Sequence, residues 1–128
     1  MAYEPYASAE DYAALFPDED DITEAALVAA SRHVDSLTYN RIHIDGFANL
    51  TEFQQDLIKE VVCWQARFET ENAEVLASVL QSYAINGVSM SFGESWNVYV
   101  AQGVAMQRDV YAMLQQTGLC VRVLGWWQ

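Results

Sequence analysis

Basic residues are scarce in this chain: six Lys and Arg stand against eighteen Asp and Glu over 128 residues, for a net charge of −12. A conventional nucleic-acid binder needs cationic side chains against phosphates, so that class is excluded. The same surface repels anionic membranes. No apolar run approaches the roughly 18 residues of a membrane span, so no membrane association is expected. The acidic N-terminus is unlike the basic start of a secretory leader. Cysteine is sparse too. Cys63 and Cys120 are the only two, with no CxxC and no metal spacing. Cys63 sits in an apolar helical run, where cysteine behaves as a small hydrophobe, and this usage fits synthesis in a reducing cytoplasm.

Catalytic signatures are also missing. The chain has no P-loop, no glycine-rich dinucleotide loop, no nucleophile elbow and no zinc pattern. His33 and His43 are its only histidines. Acid–base or metal chemistry needs partners at short spacing, and His33 and Asp35 cannot share a helix face. The acidic run Asp18-Glu19-Asp20-Asp21 lacks the alternating acids and distal Glu of a calcium loop and reads as a solvated turn. An enzyme is not expected, and no cofactor or metal is implied.

What is present is a single-domain length with 52% apolar residues, enough for a core without disulfides or metal. Helical patterning dominates the first 80 residues. Ser8 can cap a helix to Phe16, with Glu10 and Asp11 in its first turn and Pro17 at its end. Asp21, with Glu24 three residues on, can cap a second helix over Ile22 to about Asn40. Its stripe is Ile22, Ala26, Ala30, Val34 and Leu37. Ile42 to Asn49 reads as a loop with an Asp45-Gly46 turn. Thr51 and Gln54 form a capping box for a third helix, whose main face is Phe53, Leu57, Val61, Trp64 and Phe68, broadened by Ile58, Val62 and Cys63. A turn or two of helix follows over Ala73 to Leu80. Trp96, Val98 and Val100 alternate, in a run too short to assign. A last helix is expected over Val104 to Gln116, with Gly118 as its terminator.

Two features resist a bland reading. The stretch Ser82 to Ser91 alternates around Asn86-Gly87, the strongest short hairpin signal, because a type I′ turn needs two positive φ angles. Tyr83, Ile85, Val88 and Met90 then share one apolar face. An isolated hairpin is marginal in water and must lie on something. The tail, with Val121, Val123, Leu124, Trp126 and Trp127, is unusually apolar for a chain end. Large exposed apolar patches mark interfaces. The expected architecture is therefore mainly α. A small bundle of about four helices carries one hairpin around 82–91 within residues 1–118, and an extended docking tail covers 119–128.

Three blocks resemble the head–tail connector (adaptor, or head-completion) family of long-tailed bacteriophages. They are Tyr12-Ala13-Ala14-Leu15-Phe16 before the acidic turn, Ala30 to Thr38 leading to Arg41-Ile42, and Phe53 to Gln65. The hairpin falls where that family carries a similar Ser-Tyr element. Glu60-Val61 departs from the family's usual alanine. The resemblance implies a structural virion protein at the neck, made in the bacterial cytoplasm. A homo-oligomeric ring of about twelve subunits would join the portal protein to the next neck or tail protein. DNA would pass through the ring without specific binding. On this reading Val121, Val123, Leu124, Trp126 and Trp127 dock the portal, and Tyr83, Ile85, Asn86, Gly87, Val88 and Met90 meet a neighbouring subunit or the next ring. Asp18, Glu19, Asp20 and Asp21 lie near the channel, where acid limits adhesion of phosphates.

Two alternatives compete. One is a neck or tail-completion protein one ring lower. The other is an acidic DNA mimic that inhibits a host nuclease. Eight of the eighteen acids lie before Ala25, whereas a mimic spreads its acid along one exposed face.

Overall fold

The first turn of α1 (Ala9–Leu15) is closed by its own sequence. The Ser8 hydroxyl accepts from the Asp11 amide at 3.1 Å, and the Asp11 carboxylate accepts from the Ser8 amide at 2.9 Å. The structure, a computed structural model, describes residues 4–18, 21–74, 76–77, 98–101 and 104–120. It is mainly helical with one two-stranded antiparallel hairpin among the described residues.

The second helix, α2, spans Glu24–Leu37 and starts later than the sequence led us to expect. Thr23, not Asp21, is its N-cap, and its hydroxyl accepts from the Ala26 amide at 3.1 Å. Two capping residues stand within three positions of each other, and the one directly before the apolar stripe wins. Ile22 stays outside the helix, half-buried against the core. The helix ends at Thr38, whose hydroxyl turns back onto the Val34 carbonyl at 2.9 Å. Tyr39 and Asn40 then both take left-handed backbone, with φ 54° and 60°. They reverse the chain into a short α3 (Arg41–Asp45), followed by a 3-10 turn over Phe47–Asn49. The expected loop over 42–49 is therefore largely helical. Five residues are too few to show a 3.6-residue period, and Ile42, fully buried, anchors the piece. Gly46 does end it as the turn signal implied, with φ 86°.

The long helix α4 (Glu52–Glu71) begins at the Thr51/Gln54 capping box, as the sequence indicates. Its buried face is only partly the one the apolar spacing favoured: Val61 and Phe68 are buried, but the centre shifts to the residues that broadened the stripe. Ile58, Val61, Val62, Cys63, Gln65 and Ala66 are the deeply buried residues. Phe53 is 59% exposed, and Leu57 and Trp64 lie on the flank. Both stripes are apolar, so periodicity alone cannot rank them. The tie is broken by α2, which packs along α4, with α1 and the last helix of the chain (Arg108–Gln115) on its other sides. Leu27, Ala30, Val34, Ile42, Ile58, Val61 and Val62 share one core with Tyr12, Met106 and Leu114. Each large side chain fully buried there contributes about 1.5–3 kcal/mol.

After α4, residues 73, 74, 76 and 77 are helical, and the Leu76 amide donates to the Asn72 carbonyl at 2.8 Å. The strands are β1 (Val98–Ala101) and β2 (Val104–Gln107), paired Val98 with Gln107 through Ala101 with Val104. Val104 to Gln107 was expected to open the last helix; it is strand instead. Ala105 and Met106 are good helix formers, but pairing across the Gln102-Gly103 dipeptide overrides a weak local preference. The last helix, α5, is therefore Arg108–Gln115. Val110 and Leu114 face the core, and Gly118 ends the turn at φ 77°. The expected hairpin at 82–91 and the tail 121–128 lie outside the described residues.

Candidate interaction surfaces

The N-terminal segment is a strap laid across α2. The Tyr6 amide donates to the Ser31 hydroxyl at 3.1 Å, and the Tyr6 hydroxyl donates to Asp35 Oδ1 at 2.6 Å. Ser31 in turn donates to the Leu27 carbonyl at 2.8 Å. The Tyr6 ring stacks on Phe47, centroids 5.2 Å apart. Ser31 and Asp35 are buried at four-residue spacing on one face of α2, and the strap supplies their partners. Beside the strap is a cavity of about 540 Å³ lined by Tyr6, Ser8, Asp11, Glu24 and Leu27. A second depression, about 280 Å³, lies between α1 and α4 beside Asp11, Asp56, Lys59, Glu60 and Cys63.

Of the acidic turn expected between the first two helices, the structure describes only the two ends. Asp18 and Asp21 are exposed at its two ends, and Glu19 and Asp20 lie outside the described residues. So do all of the portal-docking candidates, Val121, Val123, Leu124, Trp126 and Trp127. The hairpin candidates Tyr83, Ile85, Asn86, Gly87, Val88 and Met90 are also outside them. The last described residues belong to the folded body. Leu119 is buried, and Cys120 packs against the same core. The Gly118 carbonyl accepts from Arg41 Nη1 at 3.4 Å, and the Thr117 carbonyl accepts from Gln54 Nε2 at 2.8 Å.

Close to Cys120, Tyr99 of β1 stacks on Tyr111 of α5, centroids 4.1 Å apart. Burial, then a hydrogen bond with Tyr99, raises the Tyr111 phenol well above its ordinary value. The Cys120 thiol hydrogen-bonds Tyr111, but burial dominates and pushes it up to about 11. Cys63 is also pushed up to about 11, by burial first and then by the charges of Asp11 and Glu60. A thiol nucleophile needs the opposite shift. Both cysteines are therefore protonated packing groups.

Sequence spacing missed one polar group. His33 Nδ1 on α2 pairs with Glu69 Oε2 on α4. The same Glu69 oxygen accepts from Gln65 Nε2 at 2.8 Å, and Gln65 Nε2 also donates to the Ala105 carbonyl of β2 at 2.8 Å. Gln65 is 1% exposed, and its Oε1 finds no partner among the described residues. The partners are 36 and 40 residues apart in sequence, so no local pattern signals them. Among the described residues no three His, Cys, Asp or Glu side chains gather to hold a metal. No described helix is long and apolar enough to cross a membrane. Comparison with models of known families, with curated proteins and with solved structures finds no match to this chain.

Proposed function

We propose that the chain is a structural subunit of a phage neck, forming an adaptor ring between the capsid portal and the next neck or tail protein. DNA passes through the ring without specific binding, and no catalytic step is assigned to the chain. The observation that carries the reading is the order of the three resembling blocks. In the fold they become α1, α2 with α3, and α4. Tyr12 and Phe16, then Ala30, Val34 and Leu37, then Ile58, Val61 and Val62 meet in one core. The blocks are thus the helices of one packing unit, in keeping with the mainly helical subunit the resemblance implies. The net charge of −12 supports a channel-side role, since acid limits adhesion of phosphates.

The apolar tail Val121 to Trp127 docks the portal. The hairpin residues Tyr83, Ile85, Val88 and Met90 meet the neighbouring subunit or the next ring. Electron microscopy of particles should place the protein between portal and tail, and a null mutant should yield particles without attached tails. Deleting residues 121–128 should keep helical circular dichroism and abolish capture by portal protein. Tailed, infectious particles from the null mutant would defeat the reading. Capture only by proteins on the tail side would move the chain one ring lower.

A further inference from the structure

The hairpin and the end of α4 build a small core of their own. Phe68, Leu76, Val98 and Ala105 form a buried cluster separate from the main one, with Val100 against it. Phe68 and Leu76 come before residue 78 and Val98, Val100 and Ala105 after residue 97, so the cluster is the root that joins the described chain on either side of the stretch 78–97. One chain of polar contacts fastens the root to the helical body. It runs from His33 on α2 to Glu69, from Glu69 to Gln65 on α4, and from Gln65 to the Ala105 carbonyl on β2.

We propose that this chain of contacts is a protonation-dependent latch, with His33 as its switch, that holds the root of the stretch 78–97 to α2. Glu69 is the charged group that acts on His33, by hydrogen bond and by charge, and burial opposes it. From β2 the latch receives only the uncharged Ala105 carbonyl, from α4 also the neutral Gln65 amide, and Arg32 is the adjacent charge on α2 itself. Glu69 is only 20% exposed while His33 is 40% exposed, so a proton can reach the imidazole while the carboxylate depends on its partners. Neutral imidazole can still donate from Nδ1. What deprotonation removes is the opposite charge beside a mostly buried carboxylate. That carboxylate also fixes Gln65, whose single Nε2 serves both Glu69 and β2.

The sign follows from the direction of the shift. The His33 value is raised in the folded chain above 6.5. The stabilisation is therefore complete below pH 6.5 and is lost as pH rises through the folded value. The latch is closed on the acid side and slack on the alkaline side. It does not rest on the adaptor reading.

Amide hydrogen exchange on the full chain between pH 6 and pH 9, corrected for the intrinsic pH dependence of exchange, tests it. Protection at residues 98–101 and 104–107 should fall about fivefold, the difference between a charged and a neutral hydrogen bond. Protection in α1 and the first half of α4 should hold. The fall should vanish in His33→Gln and persist in His43→Gln. A fall that persists in His33→Gln, or that is equal throughout the chain, overturns the proposal. Should His33→Gln fail to fold, the His33 imidazole of the wild type is titrated by NMR. Its midpoint must coincide with the loss of hairpin protection, and a different midpoint overturns the latch.

Discussion

Tyr6→Phe removes one oxygen and keeps the ring, which makes it a clean probe of the strap. The lost hydroxyl donates to Asp35 Oδ1 at 2.6 Å, and Asp35 is only 6% exposed. A hydrogen bond to a charged acceptor is worth about 1.5–3 kcal/mol. Asp35 has a further partner, so the lower end applies, and Tyr6→Phe should cost about 1.5 kcal/mol. Tyr6→Ala also forfeits the stack on Phe47, about 0.5–1.5 kcal/mol, and part of a ring's burial, roughly 1–2 kcal/mol. Its total should reach about 3–5 kcal/mol. Urea unfolding followed by circular dichroism reads both, with the Tyr6→Phe midpoint reduced at unchanged slope. Pairing Tyr6→Phe with Asp35→Ala should give a coupling of about 1 kcal/mol or more. Loss of less than about 0.3 kcal/mol in Tyr6→Phe, within the scatter of an ordinary surface change, would refute the assignment of the strap. So would Tyr6→Ala being no worse than Tyr6→Phe.

Ile58→Ala should cost about 3–4 kcal/mol by thermal or urea unfolding, because Ile58 is fully buried between packed helices. Phe53→Ala, on the exposed flank of the same helix, should cost under about 1 kcal/mol. Thr51→Ala opens the capping box of α4 and should lower stability by about 1 kcal/mol, with little change in folded helix content. At alkaline pH both thiols hold their protons to about 11 when folded, against 9.0 ordinarily. The unfolded chain loses those protons first, so urea midpoints should fall as pH rises from 9 to 11. The Cys120→Ser variant should fall less steeply. Iodoacetamide at pH 8 should modify native Cys63 at under about a tenth of the rate for the urea-unfolded chain, since the thiolate is the reactive form.

The legible parts of the fold were those written in short range. Ser8 with Asp11, Thr51 with Gln54, Gly46 and Gly118 are caps and stops that act within four residues, and each stands where the sequence indicates. The parts that were not legible depend on what packs against what. On α4 two apolar stripes compete, and only the presence of α2 puts Ile58 and Val62 inside and Phe53 outside. Ala105 and Met106 favour helix, and only pairing with Val98 to Ala101 makes them strand. The alternation of Val98 and Val100 was too short to assign, yet both stand in β1, with Val98 buried in the satellite core. Of the candidate site residues, Asp18 and Asp21 are the ones among the described residues, both exposed. The bridge from His33 to Glu69 was out of reach, because helix spacing says nothing about partners on another helix.

The reversal after α2 has a consequence for how the chain tolerates change. Tyr39 and Asn40 occupy left-handed backbone in succession without a glycine. Asparagine adopts that conformation readily, whereas for tyrosine it costs roughly 1–2 kcal/mol. Glycine at 40 would ease the folded turn but loosen the unfolded chain, and the two effects largely offset each other. Position 40 is thus nearly indifferent to that exchange. Position 39 is not: its β-carbon carries the left-handed cost in full, so Tyr39→Gly would relieve more folded-state strain than Asn40→Gly. The turn thus holds its strain at one residue, and relief of it belongs at position 39 rather than at position 40.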